Sequence, residues 1–172
     1  NPIILLHTFK KVLEYFPDSI LTIIGSGPMY SEVRECIKKF NIQKSVRLIS
    51  ALERNEVLQE LSSHWIYTQH CVTGGNGDQE GFSVSILEAS FYKLPVVSTL
   101  HNGIPENVID GETGFLVREY DYNAMAEKII YLLNNKKIMI KMGENGYYRV
   151  VSKFNHDRRI DELKGLLSSQ LK

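Results

Sequence analysis

Residues 20–40 read I-L-T-I-I-G-S-G-P-M-Y-S-E-V-R-E-C-I-K-K-F. Ile20–Ile24 is a short run rich in β-branched residues with no polar alternation, the pattern of a strand buried on both faces. Gly25-Ser26-Gly27-Pro28 breaks it sharply. From Tyr30 to Phe40 the apolar residues Val33, Ile37 and Phe40 recur at helical spacing. Strand, glycine turn and helix in that order form half of a βαβ unit, and the same grammar repeats outward. Before it, Ile4, Leu5, Phe9, Val12, Leu13 and Phe16 give one face of a helix over 3–16, with Pro2 near its first turn and Pro17-Asp18 ending it. After it, strands are predicted at 46–49, 65–68, 95–99 and 115–117. Helices are predicted at 53–62, 83–92, 104–109, 121–133 (Asp121 as N-cap) and 136–151, with a last amphipathic helix from Asn155 through Leu167. Short, unalternating strands separated by helices predict a doubly wound α/β domain, a Rossmann-like parallel sheet with helices on both faces. Ligands of such sheets lie beyond the carboxyl ends of the strands, and the glycine turns at 25–27, 74–77 and 102–103 all follow strands.

The stretch Glu80-Gly81-Phe82-Ser83-Val84-Ser85-Ile86-Leu87-Glu88 stands at that edge. It follows the polar, glycine-rich run 73–79 and opens a helix at Ser83. A helix N-terminus offers free N–H groups and partial positive charge, which suit phosphate. The flanking carboxylates accept hydrogen bonds from hydroxyls. Phosphate and sugar hydroxyls together point to a nucleotide sugar.

Bulk properties agree with a single globular domain. The 172 residues suffice for one domain and are few for two. Lys+Arg and Asp+Glu both number 20, so the net charge of zero argues against nucleic acid as a partner. Cys36 and Cys71 form no C-x-x-C pair and read as reduced thiols of a cytoplasmic protein. No apolar run reaches the roughly 20 residues of a membrane span. The opening Asn1-Pro2-Ile3-Ile4 starts inside an apolar pattern, as at a fragment boundary.

Taken together, E-G-F-S-V-S-I-L-E-A-S-F-Y-K-L-P-V-V-S-T, then N-G-I-P-E-N-V-I-D-G-E-T-G-F-L-V, resembles the C-terminal, donor-binding domain of retaining GT-B glycosyltransferases, nearest to the large family 4. I-I-G-S-G-P, V-R-L-I-S-A and F-N-H-D-R-R-I-D-E-L fall at matching places, so the resemblance covers nearly the whole chain. It implies transfer of a sugar from a nucleotide diphosphate to a glycan or lipid-linked acceptor, as in bacterial surface polysaccharide synthesis. Glu80 would bind donor-sugar hydroxyls and is the catalytic candidate. Gly81, Phe82, Ser83 and Val84 would offer backbone amides to sugar and diphosphate, and Glu88 would bind the ribose. Gly25, Gly27, Ala51 and Leu52 would border the nucleotide. The family implication is a front-face mechanism in which donor phosphate helps deprotonate the acceptor. No D-x-D motif is present, and no metal or other cofactor is expected.

Departures from the family pattern carry their own expectations. The strand ending in Arg and the Lys-Gly pair that usually neutralise the diphosphate would precede Asn1, as would the acceptor-binding domain. Without that strand the sheet is expected to be split or completed by another chain, because unpaired buried N–H and C=O groups are costly. Lys93 stands at a helix C-cap where glycine is common, so the cap is expected to be made another way. Asn102 replaces a glycine and should tolerate a left-handed backbone. His70 reads as structural, while His101 and Glu106 are equally consistent with structural and ligand roles. The Lys- and Leu-bearing last helix reads as an ordinary packed helix, with docking on the absent domain or on the inner membrane surface as the other options. Two further functions fit the architecture: a GT-B sugar-nucleotide epimerase, which the E-x7-E order disfavours, and a non-catalytic nucleotide- or sugar-binding module.

Overall fold

The structure is a computed structural model that describes residues 1–74 and 83–153. Twelve elements follow in order: α1 (Pro2–Tyr15), β1 (Leu21–Ile24), α2 (Tyr30–Lys39), β2 (Val46–Ile49), α3 (Arg54–Ser63), β3 (Tyr67–Gln69), α4 (Val84–Phe91), β4 (Val96–Thr99), α5 (Ile104–Asn107), β5 (Gly114–Val117), α6 (Tyr122–Asn134) and α7 (Lys136–Lys153). The alternation predicted from residues 20–40 runs through the chain, and this is an α/β fold with parallel strands. The helix predicted from Asn155 lies outside the described residues.

The parallel ladder is in two pieces. β1 pairs with β2, Leu21 opposite Val46, while β3, β4 and β5 pair in that order, with Val96 opposite Tyr67 and Gly114. Among the described residues no ladder joins β1 to β3. A cavity of about 680 Å³ lies between them, lined by Phe9, Val12, Leu21, Trp65, Ile66 and Ile129 among others. The third strand starts two residues later than predicted. Its first ladder bond runs from Tyr67 N–H to the Pro95 carbonyl, and Trp65 stays 60% exposed beneath the ammonium of Lys136.

Three apolar clusters hold the layers. Leu6, Phe9 and Val12 of α1 pack on Val33 and Ile37 of α2 and on Val46 of β2. Val97 of β4 meets Met125 and Leu132 of α6 and Met139 and Met142 of α7. Ile86 of α4 and Ile104 of α5 cover Val96 from the opposite side. Each fully buried side chain of this size contributes about 1.5–3 kcal/mol. β4 is the sheet's centre: Val96, Val97, Ser98 and Thr99 are all buried, as an unalternating strand should be.

Glycine permits the close contact between α4 and α7. A Cβ on Gly143 would collide with the carbonyl of Lys93. The end of α4 corrects the sequence expectation. The N–H of Lys93 donates to the Ser90 carbonyl at 2.9 Å, and that of Leu94 to Ala89 at 3.1 Å. This is the Schellman pattern. It is made with Lys93 itself left-handed, at φ 59°, and not by another route. Asn102 likewise adopts a positive φ of 38°.

Candidate functional site

Parallel pairing puts the ends of β1 and β2 on one edge, and those of β3, β4 and β5 on one edge of their sheet. At the first, Gly25 has a φ of 153°, a backbone that L side chains rarely adopt. Its N–H donates to the Ile49 carbonyl at 3.0 Å, so the Gly25–Gly27 turn lies beside the residues leading into Ala51 and Leu52. A Cβ on Gly25 or Gly27 would meet nothing within 4 Å, so both face open space. Ala51 is exposed and Leu52 half-buried.

The second edge is organised around α4. Glu80, Gly81 and Phe82 lie outside the described residues. Ser83 is the N-cap of α4, yet its side chain caps no first-turn N–H; its hydroxyl meets that of Ser85 at 3.0 Å. Its hydroxyl donates instead to Oε1 of Gln69 at 3.0 Å, an oxygen that also accepts from Ser85 at 3.2 Å and Tyr67 at 3.2 Å. The Ser83 carbonyl accepts from Nδ2 of Asn107 at 2.8 Å. The helix entry is thus tied to β3 and α5, while no Ser83 oxygen caps its first-turn N–H groups. Those groups and the helix dipole make that end attractive to an anion. Val84, the first helical residue, is 60% exposed there.

Glu88, in the second turn of α4, is not a free carboxylate. Its Oε1 lies 2.7 Å from Nη2 of Arg54, the first residue of α3. The residue read as ribose-binding therefore abuts the element that follows Ala51 and Leu52. Sequence reading missed Arg54: 34 positions separate it from Glu88, and no local pattern signals the pair.

A third group closes the edge. His101 is buried, and its Nδ1 lies 2.6 Å from Oε1 of Glu119. The other Glu119 oxygen accepts from the Thr73 N–H at 3.3 Å. The His101 hydrogen bond, more than any other influence, holds the Glu119 carboxyl below the usual carboxylate range. His70 is also buried, and its Nε2 accepts from the Tyr120 N–H at 3.2 Å. Burial, the largest influence, pushes its pKa down to about 4, so the ring is neutral. Its Nδ1 has no hydrogen-bond partner among the described residues. Glu106 sits exposed in the first turn of α5, where the helix dipole favours it. Among the described residues, no group of three His, Cys, Asp or Glu could hold a metal ion, and no helix is long and apolar enough to cross a membrane.

Comparison with known proteins gives the chain its family. The family model described as glycosyl transferases group 1 matches residues 1–149. The capsular polysaccharide biosynthesis glycosyltransferase CapM of Staphylococcus aureus is 37% identical over 98% of this chain, which spans 42% of that protein. A GDP-mannose-dependent phosphatidylinositol monomannoside mannosyltransferase of Mycolicibacterium smegmatis is 27% identical over 96% of the chain, which spans 44% of it. The chain thus covers less than half the length of these relatives. Among solved structures, Anabaena HepE in complex with UDP-glucose superposes with a TM-score of 0.81 at 19% identity, over 96% of this chain and 44% of that one. The C-terminal domain of the Francisella tularensis group 1 protein LpcC gives 0.77 at 24% identity, over 90% of this chain and 79% of that one. At these identities the structural likeness concerns the fold.

Proposed function

The chain belongs to the group 1 glycosyl transferases, and on that premise we propose that it is the donor-binding part of a retaining enzyme. That enzyme moves a sugar from a nucleotide diphosphate to a glycan or lipid-linked acceptor in surface polysaccharide synthesis. The observation that carries the reading is α4: its first turn lacks a side-chain cap from Ser83, and Glu88 stands one turn further along. An anion and a diol set one helical turn apart describe a nucleotide diphosphate and its ribose.

In this reading Glu80 accepts hydrogen bonds from the donor sugar and is the catalytic candidate. Amides of Gly81, Phe82, Ser83 and Val84 meet sugar and diphosphate, and stabilise the negative charge that develops as the glycosidic C–O bond breaks. Glu88 accepts from the ribose hydroxyls. Gly25 and Gly27 allow close backbone approach to the nucleotide, and Ala51 and Leu52 border the base. The reading includes no metal or other cofactor, and it places the enzyme in the cytoplasm at the inner face of the membrane. Relatives that build capsule or glycosylate phosphatidylinositol mannosides support it. HepE, whose structure holds UDP-glucose, shares the fold.

The test is donor titration of the natural full-length polypeptide and its Glu80→Ala and Glu88→Ala variants, with UDP- and GDP-sugars. Removing a charged hydrogen-bond partner costs about 1.5–3 kcal/mol, so roughly ten- to a hundredfold weaker binding is expected in each. Absence of nucleotide binding, or wild-type affinity in both variants, overturns the reading.

A further inference from the structure

Arg54 breaks a local rule. It is the first residue of α3, where the helix dipole disfavours a cation by about 0.3–1 kcal/mol. α3 already has the caps that a helix start needs. Glu53 accepts from the backbone of the third residue, and Glu56 accepts from the Glu53 N–H at 2.8 Å. Helix formation therefore does not call for the arginine. Nor does stability. The Arg54 side chain is 76% exposed, and a solvent-screened pair of this kind contributes little to folding. Residues that violate local preference without a folding gain concentrate at functional sites.

The arginine's geometry defines a specific task. It spends its guanidinium on Oε1 of Glu88, and Oε2 carries no hydrogen bond among the described residues. Arg54 also follows Ala51 and Leu52 by two to three positions, so it links the segment that borders the base to the carboxylate on α4. An unpaired Glu88 would sample several rotamers and would repel a diphosphate bound at the start of the same helix. The paired Glu88 has one oxygen fixed, the other presented, and its charge offset.

Resting on the donor-site reading above, we propose that Arg54 is a positioning residue: it orients the Glu88 carboxylate so that Oε2 accepts from the ribose hydroxyls. It acts through Glu88 and does not itself hold the nucleotide. Immobilising one flexible side chain in advance contributes roughly two- to tenfold in affinity.

The experiment measures hydroxyl discrimination in the natural full-length polypeptide. UDP and GDP are titrated beside their 2′,3′-dideoxy counterparts, for wild type, Arg54→Ala, Arg54→Lys, Glu88→Ala and the double variant Arg54→Ala/Glu88→Ala. Arg54→Ala should lower the preference for the ribonucleotide roughly two- to tenfold, and Arg54→Lys should restore part of it. In the Glu88→Ala background, Arg54→Ala should leave the preference unchanged. A Glu88→Ala protein that keeps full discrimination, or a wild type that binds neither nucleotide, overturns the donor-site reading and this one with it. A loss of discrimination in Glu88→Ala but not in Arg54→Ala overturns only the role of Arg54. So does an Arg54→Ala loss that is equal for ribo- and dideoxynucleotides, which would mean direct contact with diphosphate or base. Should Arg54→Ala fail to fold, Arg54→Gln takes its place under the same criteria.

Discussion

Replacing Lys93 by glycine should give a more stable protein than replacing it by alanine, the reverse of the order found inside a helix. The cause is the left-handed backbone at the end of α4, φ 59°. For a residue with a Cβ this conformation costs roughly 1–2 kcal/mol. The chain cannot relax out of it. The Lys93 and Leu94 N–H groups are committed to Ser90 and Ala89, and the Lys93 carbonyl is pressed against Gly143 of α7. Glycine removes the strain but enlarges the unfolded ensemble, which returns about 0.4–1 kcal/mol. Both variants lose the Lys93 ammonium, which lies 5.3 Å from the ring centroid of Tyr147, so that loss cancels in the comparison. The net expectation is about 1 kcal/mol in favour of glycine, or roughly 2–4 °C in Tm for a chain of this size. Urea unfolding followed by circular dichroism checks it, with equal slopes required for both variants. An alanine variant as stable as the glycine variant would refute the account of this helix end.

Two other perturbations probe the same frame. Gly143→Ala should destabilise by roughly 1–3 kcal/mol, because the new Cβ meets the backbone of Lys93, which has no free rotamer to yield; thermal unfolding measures it. His70 sets an acid limit. Its pKa falls from 6.5 in the unfolded chain to about 4 in the fold, so the unfolded state binds the proton more readily. Stability should be full above pH 6.5 and decline as the pH falls toward 4, and a His70→Phe variant should show a flatter profile in that window by chemical denaturation.

Much of the framework was legible because its determinants are local. Buried parallel strands announce themselves by apolar runs without alternation, and Asp121 caps α6 through the Ala124 N–H at 2.9 Å, as its position before the helix implies. The limits arose where distant residues decide. Trp65 is a good strand former, but its register carries it outside the ladder, against Lys136. Lys93 looked unsuited to a left-handed cap. The packing of α4 on α7 holds it there regardless. The candidate site divides in the same way. The segment 80–88 is contiguous and was readable as one unit; of it, residues 83–88 are described and form a helix start that Ser83 leaves without a side-chain cap. The pairs Arg54–Glu88 and His101–Glu119 join residues that only the folded sheet edges bring together. Each member alone resembles an ordinary surface charge or a strand-end histidine.

The division of the ladder also sets what the two open strand edges can accept. No ladder joins β1 to β3 among the described residues, and both strand edges border an apolar cavity. Such edges are templates for strand addition. Because both edges belong to parallel ladders, they favour an extended segment that runs in the same direction and is apolar on both sides.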